Sequence, residues 1–158
     1  VNPNIKMKMT YIESWFDPPK AKESALAQIA SGADFIYAER FGPFEACTEK
    51  GKLAFGHFVD QNSLAPSVVV SSTIARWDNC TKYVINDWWN HVTKGTPYNA
   101  SKKRIYFLMA EGGSDIAPYH SLDARIPQKV KDAVSKAHQD ILNGKLKIAK
   151  NEKKVISQ

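Results

Sequence analysis

Four short stretches of the sequence bring aromatic and charged side chains together. They are Trp15-Phe16 directly before Asp17-Pro18, Glu39-Arg40-Phe41, Phe58 with Asp60, and Arg76-Trp77. Aromatic faces can clamp a flat ligand by stacking, worth ~1–3 kcal/mol per base. Carboxylates and guanidinium groups can then fix its edge by charge-assisted hydrogen bonds. Apolar walls with a few polar hooks are the usual make-up of a small-molecule pocket. The candidate ligand-binding residues are therefore Trp15, Phe16, Glu39, Phe41, Phe58, Asp60, Arg76 and Trp77.

The chemistry these residues suggest is binding and not catalysis. The sequence has no GxSxG, P-loop, GxGxxG or HExxH motif. The four histidines (57, 91, 120 and 138) lack metal-ligand spacing, and nothing pairs a nucleophile with a base, so neither a metal nor a cofactor is expected. Cys47 and Cys80 form no CxxC pair and read as small buried apolar residues. Several candidates also have a plainer reading. Phe16 and Phe58 suit the edge of a core, Asp17 an N-cap, Arg40 a solvated surface, and Trp77 a hydrophobic staple.

The elements that must carry these residues follow from periodicity. Residues 5–12 (IKMKMTYI) alternate as a strand does. Asp17 and Pro18 then open a helix with a stripe of Ala21, Ala25, Leu26 and Ile29, stopped near Gly32. Residues 34–39 predict a strand, 43–50 a helix closed by Gly51, 52–59 a strand and 68–75 another. A helix capped by Asp78 runs over 78–94, with Cys80, Tyr83, Val84, Ile85, Trp88, Trp89 and Val92 on its apolar side and Gly95 at its end. Residues 104–110 predict a fifth strand and 111–120 a loop. Pro127 opens a last helix with stripe Val130, Ala133, Val134, Ala137 and Ile141. Alternating strands and helices predict an α/β fold, a three-layer parallel sheet flanked by helices. In such sheets ligands bind beyond the carboxyl ends of the strands, and all four stretches stand there.

The chain has 158 residues, 43% apolar and 24% charged, enough for one domain with a real core. No apolar run approaches the ~20 residues of a membrane helix. Of the net charge of +6, four charges lie in the Lys-rich stretch 144–158, which reads as a solvated tail. No basic stripe with interleaved aromatics occurs elsewhere, so nucleic acid is not an expected partner.

Three segments in order carry a family resemblance: SWFDPPKAKESALAQIASGADFIYA, EACTEKGKLAFGHFVDQNSLAPSVVVSST and SDIAPYH. Together they resemble the basic membrane protein family, over roughly residues 1–148. The resemblance implies an extracytoplasmic, membrane-anchored substrate-binding lipoprotein of an ABC importer, with the two-lobed fold of type I periplasmic binding proteins. It implies a purine nucleoside or nucleobase as ligand and the ABC membrane subunits as partners. Trp15 takes the place of the family's base-stacking aromatic, Arg76 that of a polar residue often Lys, and Asp60-Gln61 that of its Asp-Gln pair. Phe58 stands where many members have an acid, and ERFGPFE replaces a Gly-rich turn, which points toward a free nucleobase or another flat ligand.

The resemblance also implies a division of the chain. Residues 1–66 correspond to the C-terminal lobe and 67–98 to a strand and helix associated with the N-terminal lobe. Residues 99–148 return to the C-terminal lobe, and 149–158 form the basic tail. The N-terminal half itself is an expected partner. The alternative is a ligand-sensing or interaction module that uses the same fold without transport.

Overall fold

The computed structural model describes residues 3–98 and 105–148. Arg104 of the expected fifth strand and most of the Lys-rich tail lie outside them. Among the described residues there are four strands: β1 (Phe35–Tyr37), β2 (Leu53–Gly56), β3 (Val69–Ala75) and β4 (Ser114–Ile116). They form one sheet in the order β1-β2-β3-β4, parallel across β1–β2 and β2–β3 and antiparallel across β3–β4. Helices α1 (Pro18–Ala30), α2 (Pro43–Lys50), α3 (Trp77–Lys94) and α4 (Gln128–Leu142) flank it, with 3-10 turns at Asn62–Leu64 and His120–Arg125. The architecture is the expected α/β class, with a sheet that is mostly parallel.

The local signals explain the helix ends. Asp17 caps α1, its Oδ1 accepting from the Lys20 amide at 3.0 Å. Gly51 and Gly95 close α2 and α3 in the left-handed conformation. The core lies between the α1–α2 layer and one sheet face, where Ala25, Ile36, Phe44, Cys47, Ala54 and Val69 are buried. Burial pushes the Cys47 thiol up to about 11, which fits an inert packing role. Period-2 alternation sends Phe35, Tyr37 and Phe55 to the opposite face, where Phe35 and Phe55 stack at 5.6 Å.

Three expectations are corrected. Residues 5–12 form no strand, because alternation makes a strand only where a neighbour completes the hydrogen-bond ladder. The segment runs beside α1, where Gln28 donates to Thr10 at 3.1 Å, and Ile5 and Met7 stay exposed. Residues 105–110 are also not a strand. The chain turns there, with Gly113 N–H donating to the Leu108 carbonyl at 2.8 Å, and the pairing falls to Ser114–Ile116, expected to be a loop. Asp78 is not the cap of α3. Arg76 holds that position without a side-chain bond, and Asp78 pairs with Lys82 at 3.1 Å inside the first turn. Pro127 opens α4 as expected, from the N-cap position.

Candidate ligand-binding rim

The chain segments that leave β1, β2 and β3 at their carboxyl ends meet in one band. Trp15 lies over Arg40, whose guanidinium carbon is 4.8 Å from the ring centroid. Arg40 is ion-paired to Glu39. The other Glu39 oxygen, Oε1, is 3.9 Å from His57 Nε2. The His57 ring packs against Phe58 at 4.2 Å, and Phe58 stacks on Trp77 at 6.2 Å. Phe16 meets Phe41 edge-on at 6.2 Å. Four of the eight candidates, Trp15, Glu39, Phe58 and Trp77, are therefore joined in this band through Arg40 and His57, and Phe16 and Phe41 form a separate pair next to Trp15 and Arg40 in the chain. Their aromatic faces are open: Trp15 is 87% exposed and Trp77 64%.

Asp60 and Arg76 are engaged elsewhere. Asp60 accepts from His120 Nε2 at 2.6 Å and from the Asn62 amide at 3.1 Å. Burial works against the Asp60 carboxylate. The His120 hydrogen bond, the Asn62 amide and the His120 charge outweigh it and hold its pKa below the usual range. Arg76 donates to Asp115 at 3.4 Å, and His138 approaches the same carboxylate at 3.2 Å. Burial likewise opposes the Asp115 charge, and the Ile116 amide, Arg76 and His138 overcome it to lower its pKa. Arg76, Asp115 and His138 line a concavity of about 290 Å³ beside α4. Each of these two pairs ties a rim loop to the segment that follows Gly113.

Polar bonds also fix the loop after β2. Gln61 Oε1 accepts from the His57 amide at 2.9 Å, and the Gln61 amide donates to Ser72 Oγ at 3.1 Å. Gly56 makes room for both: a Cβ there would stand 2.4 Å from Ser72 Oγ. Among the described residues, three non-glycine residues hold left-handed backbone, Glu13 (φ 55), Phe58 (φ 69) and His120 (φ 48). Glu13 precedes Trp15, Phe58 is in the band, and His120 holds Asp60. Such strain costs on the order of 1–3 kcal/mol each and clusters at ligand clamps.

Sequence reasoning passed over Tyr37, His57 and Thr73, whose polar atoms form a triangle. Tyr37 hydroxyl is 2.6 Å from His57 Nδ1 and 2.9 Å from Thr73 Oγ1, and Nδ1 is 3.1 Å from Thr73 Oγ1. The missed signal was parity. Tyr37 and Thr73 alternate with buried Ile36 and Ser72, so both must point away from the core. Among the described residues no group of three or more His, Cys, Asp or Glu could hold a metal ion.

The mostly parallel α/β sheet, with aromatic and charged side chains at its strand ends, has counterparts of the same fold among solved structures. In solved structures the fold matches a solute-binding protein of an ABC transporter system from Aeropyrum pernix, with TM-score 0.70 at 17% identity over 91% of this chain and 48% of that one. A protein from Bacillus halodurans described as a transcriptional activator of the comK gene matches with TM-score 0.68 at 21% identity, over 86% of this chain and 46% of that one.

Residues 1–152 match the family model for PnrA-like ABC transporter substrate-binding proteins (Bmp), and the chain belongs to that family. The family is one of substrate-binding proteins and not of enzymes. A purine-binding protein of Brucella abortus is 26% identical over 152 residues, 92% of this chain and 39% of the relative. A putative glucose-binding protein of an ABC transporter from Haloferax volcanii is 24% identical over 160 residues, 94% of this chain and 36% of the relative. The chain thus spans well under half the length of these relatives.

Proposed function

We propose that this chain belongs to the extracytoplasmic solute-binding component of an ABC importer. The aromatic band is one wall of its ligand cleft, and the ligand is a purine nucleoside or nucleobase. One observation carries the reading: the contacts from Trp15 through Arg40, Glu39, His57 and Phe58 to Trp77 join three strand ends into one open aromatic surface. Stacking suits a flat ring system. Asp60 and Arg76 complete the reading by fixing the loops that carry the wall. The purine-binding relative from Brucella abortus supports the ligand class.

The reading includes a second lobe, lipoprotein anchoring and docking to the importer's membrane subunits. The second lobe would face α3. Tyr83, Val84, Ile85, Trp88, Trp89 and Val92 are all about half exposed there, more apolar surface than a solvated helix leaves open. The decisive experiment is native mass spectrometry of the full-length protein as purified, followed by calorimetry with purine bases and nucleosides. A co-purified purine is expected. A bound hexose, with no heat from any purine, would overturn the ligand class.

A second reading, a ligand-sensing module without transport, draws on the Bacillus halodurans neighbour, which has this fold and a regulatory description. Uptake of labelled purine by cells lacking the gene separates the two. Lost uptake favours the importer, and unchanged uptake favours the sensor.

A further inference from the structure

His57 stands at the middle of the band, and its side chain is only 25% exposed. Its Nδ1 faces two hydroxyls, Tyr37 at 2.6 Å and Thr73 at 3.1 Å. We assign Tyr37 O–H, the more acidic donor, to Nδ1, and Thr73 O–H to the Tyr37 oxygen 2.9 Å away. A neutral imidazole carries one ring proton, which is then on Nε2. A protonated ring carries it there as well.

That N–H faces Glu39 Oε1 at 3.9 Å, beyond hydrogen-bond reach. The other carboxylate oxygen of Glu39 is held by Arg40, which fixes the group in place. A donor and an acceptor on this assignment stand 3.9 Å apart, a separation that one atom at about 2.8 Å from each would bridge. That atom must accept from Nε2–H and donate to a carboxylate. A carbonyl oxygen only accepts and an exocyclic amine only donates, whereas a hydroxyl does both. The geometry points to His57 as a specificity-determining residue that, with Glu39, clasps one hydroxyl of the ligand, with Tyr37 and Thr73 as positioning residues. This rests on the reading of the band as a ligand wall. It selects a ligand with a hydroxyl beside its flat ring over the bare ring that Phe58 alone suggests.

The test is calorimetry on the full-length protein and its His57→Phe variant. The probes are adenosine, inosine, their free bases, and the 2′-deoxy and 3′-deoxy nucleosides. The wild type should bind a nucleoside about tenfold or more tighter than its base, the size of one charge-assisted hydrogen bond. One of the deoxy analogues should lose that margin, and His57→Phe should lose it too, with no further loss when both changes are combined. A preference kept by folded His57→Phe, or equal binding of base and nucleoside by the wild type, overturns the clasp and leaves the wall intact. No binding of any purine overturns the purine wall and the clasp with it. If His57→Phe does not fold, Glu39→Ala decides: a reduced nucleoside-to-base ratio upholds the clasp, and an unchanged ratio overturns it.

Discussion

Trp15 covers the guanidinium of Arg40 at 4.8 Å while its own outer face stays open. The cation–π contact, worth about 0.5–1 kcal/mol at an exposed site, orients the ring without burying it. Two adjacent aromatics before a helix cap thereby have separate contacts: Phe16 packs on Phe41, and Trp15 rests one face on Arg40.

On the proposed reading of the wall, Trp15→Ala should weaken binding of a flat ligand by ~1–3 kcal/mol. It should change folding stability by only about 0.5 kcal/mol, as a surface substitution does. Calorimetry and a thermal melt read the two separately. Unchanged affinity with a much lower melting temperature would place Trp15 in the core instead.

Gly42→Ala should be among the most damaging single changes in the α1–α2 layer. Gly42 has φ 115, and a Cβ there would stand 2.2 Å from the Pro18 carbonyl oxygen. Left-handed strain and overpacking together should cost ~2 kcal/mol or more. Urea denaturation should show the midpoint falling with an unchanged slope.

The Asp60–His120 bridge makes stability depend on acid pH. Asp60 has a lowered pKa in the folded protein, so the unfolded chain takes up its proton first as pH falls. Its contribution is full above the unfolded value of about 4 and fades as pH drops through the lower folded value. The melting temperatures of wild type and Asp60→Asn should differ at pH 6, and the difference should shrink as pH falls below about 4. A difference that persists or grows toward pH 3 would assign the effect to something other than this carboxylate.

The exposed face of α3 predicts a difference between this chain and the full-length protein. Trp88 and Trp89 lie 6.1 Å apart and are about half exposed. With Trp15 and Trp77 replaced by Phe, acrylamide should quench the remaining fluorescence readily in this chain alone. In the full-length protein it should quench it poorly. Equal quenching in both would mean that no second lobe covers α3.

Much of the fold was legible because it is set by near neighbours in the chain. The Asp17 cap and the glycines that end the helices at 51 and 95 are local facts, and each came out as expected. The ordered family motifs and the aromatic types at the strand ends were equally plain. The sequence could not show which extended segments find a partner. Residues 5–12 have the right alternation and stay outside the sheet, while Ser114–Ile116 has almost none and pairs with β3. Strand pairing joins residues far apart in sequence, and alternation says only which side faces inward. The same reason governs the rim. The residue types at the strand ends were visible, but it was tertiary structure that tied Asp60 to His120 and Arg76 to Asp115. It was also tertiary structure that placed His57, unremarkable in sequence, between Tyr37, Thr73 and Glu39.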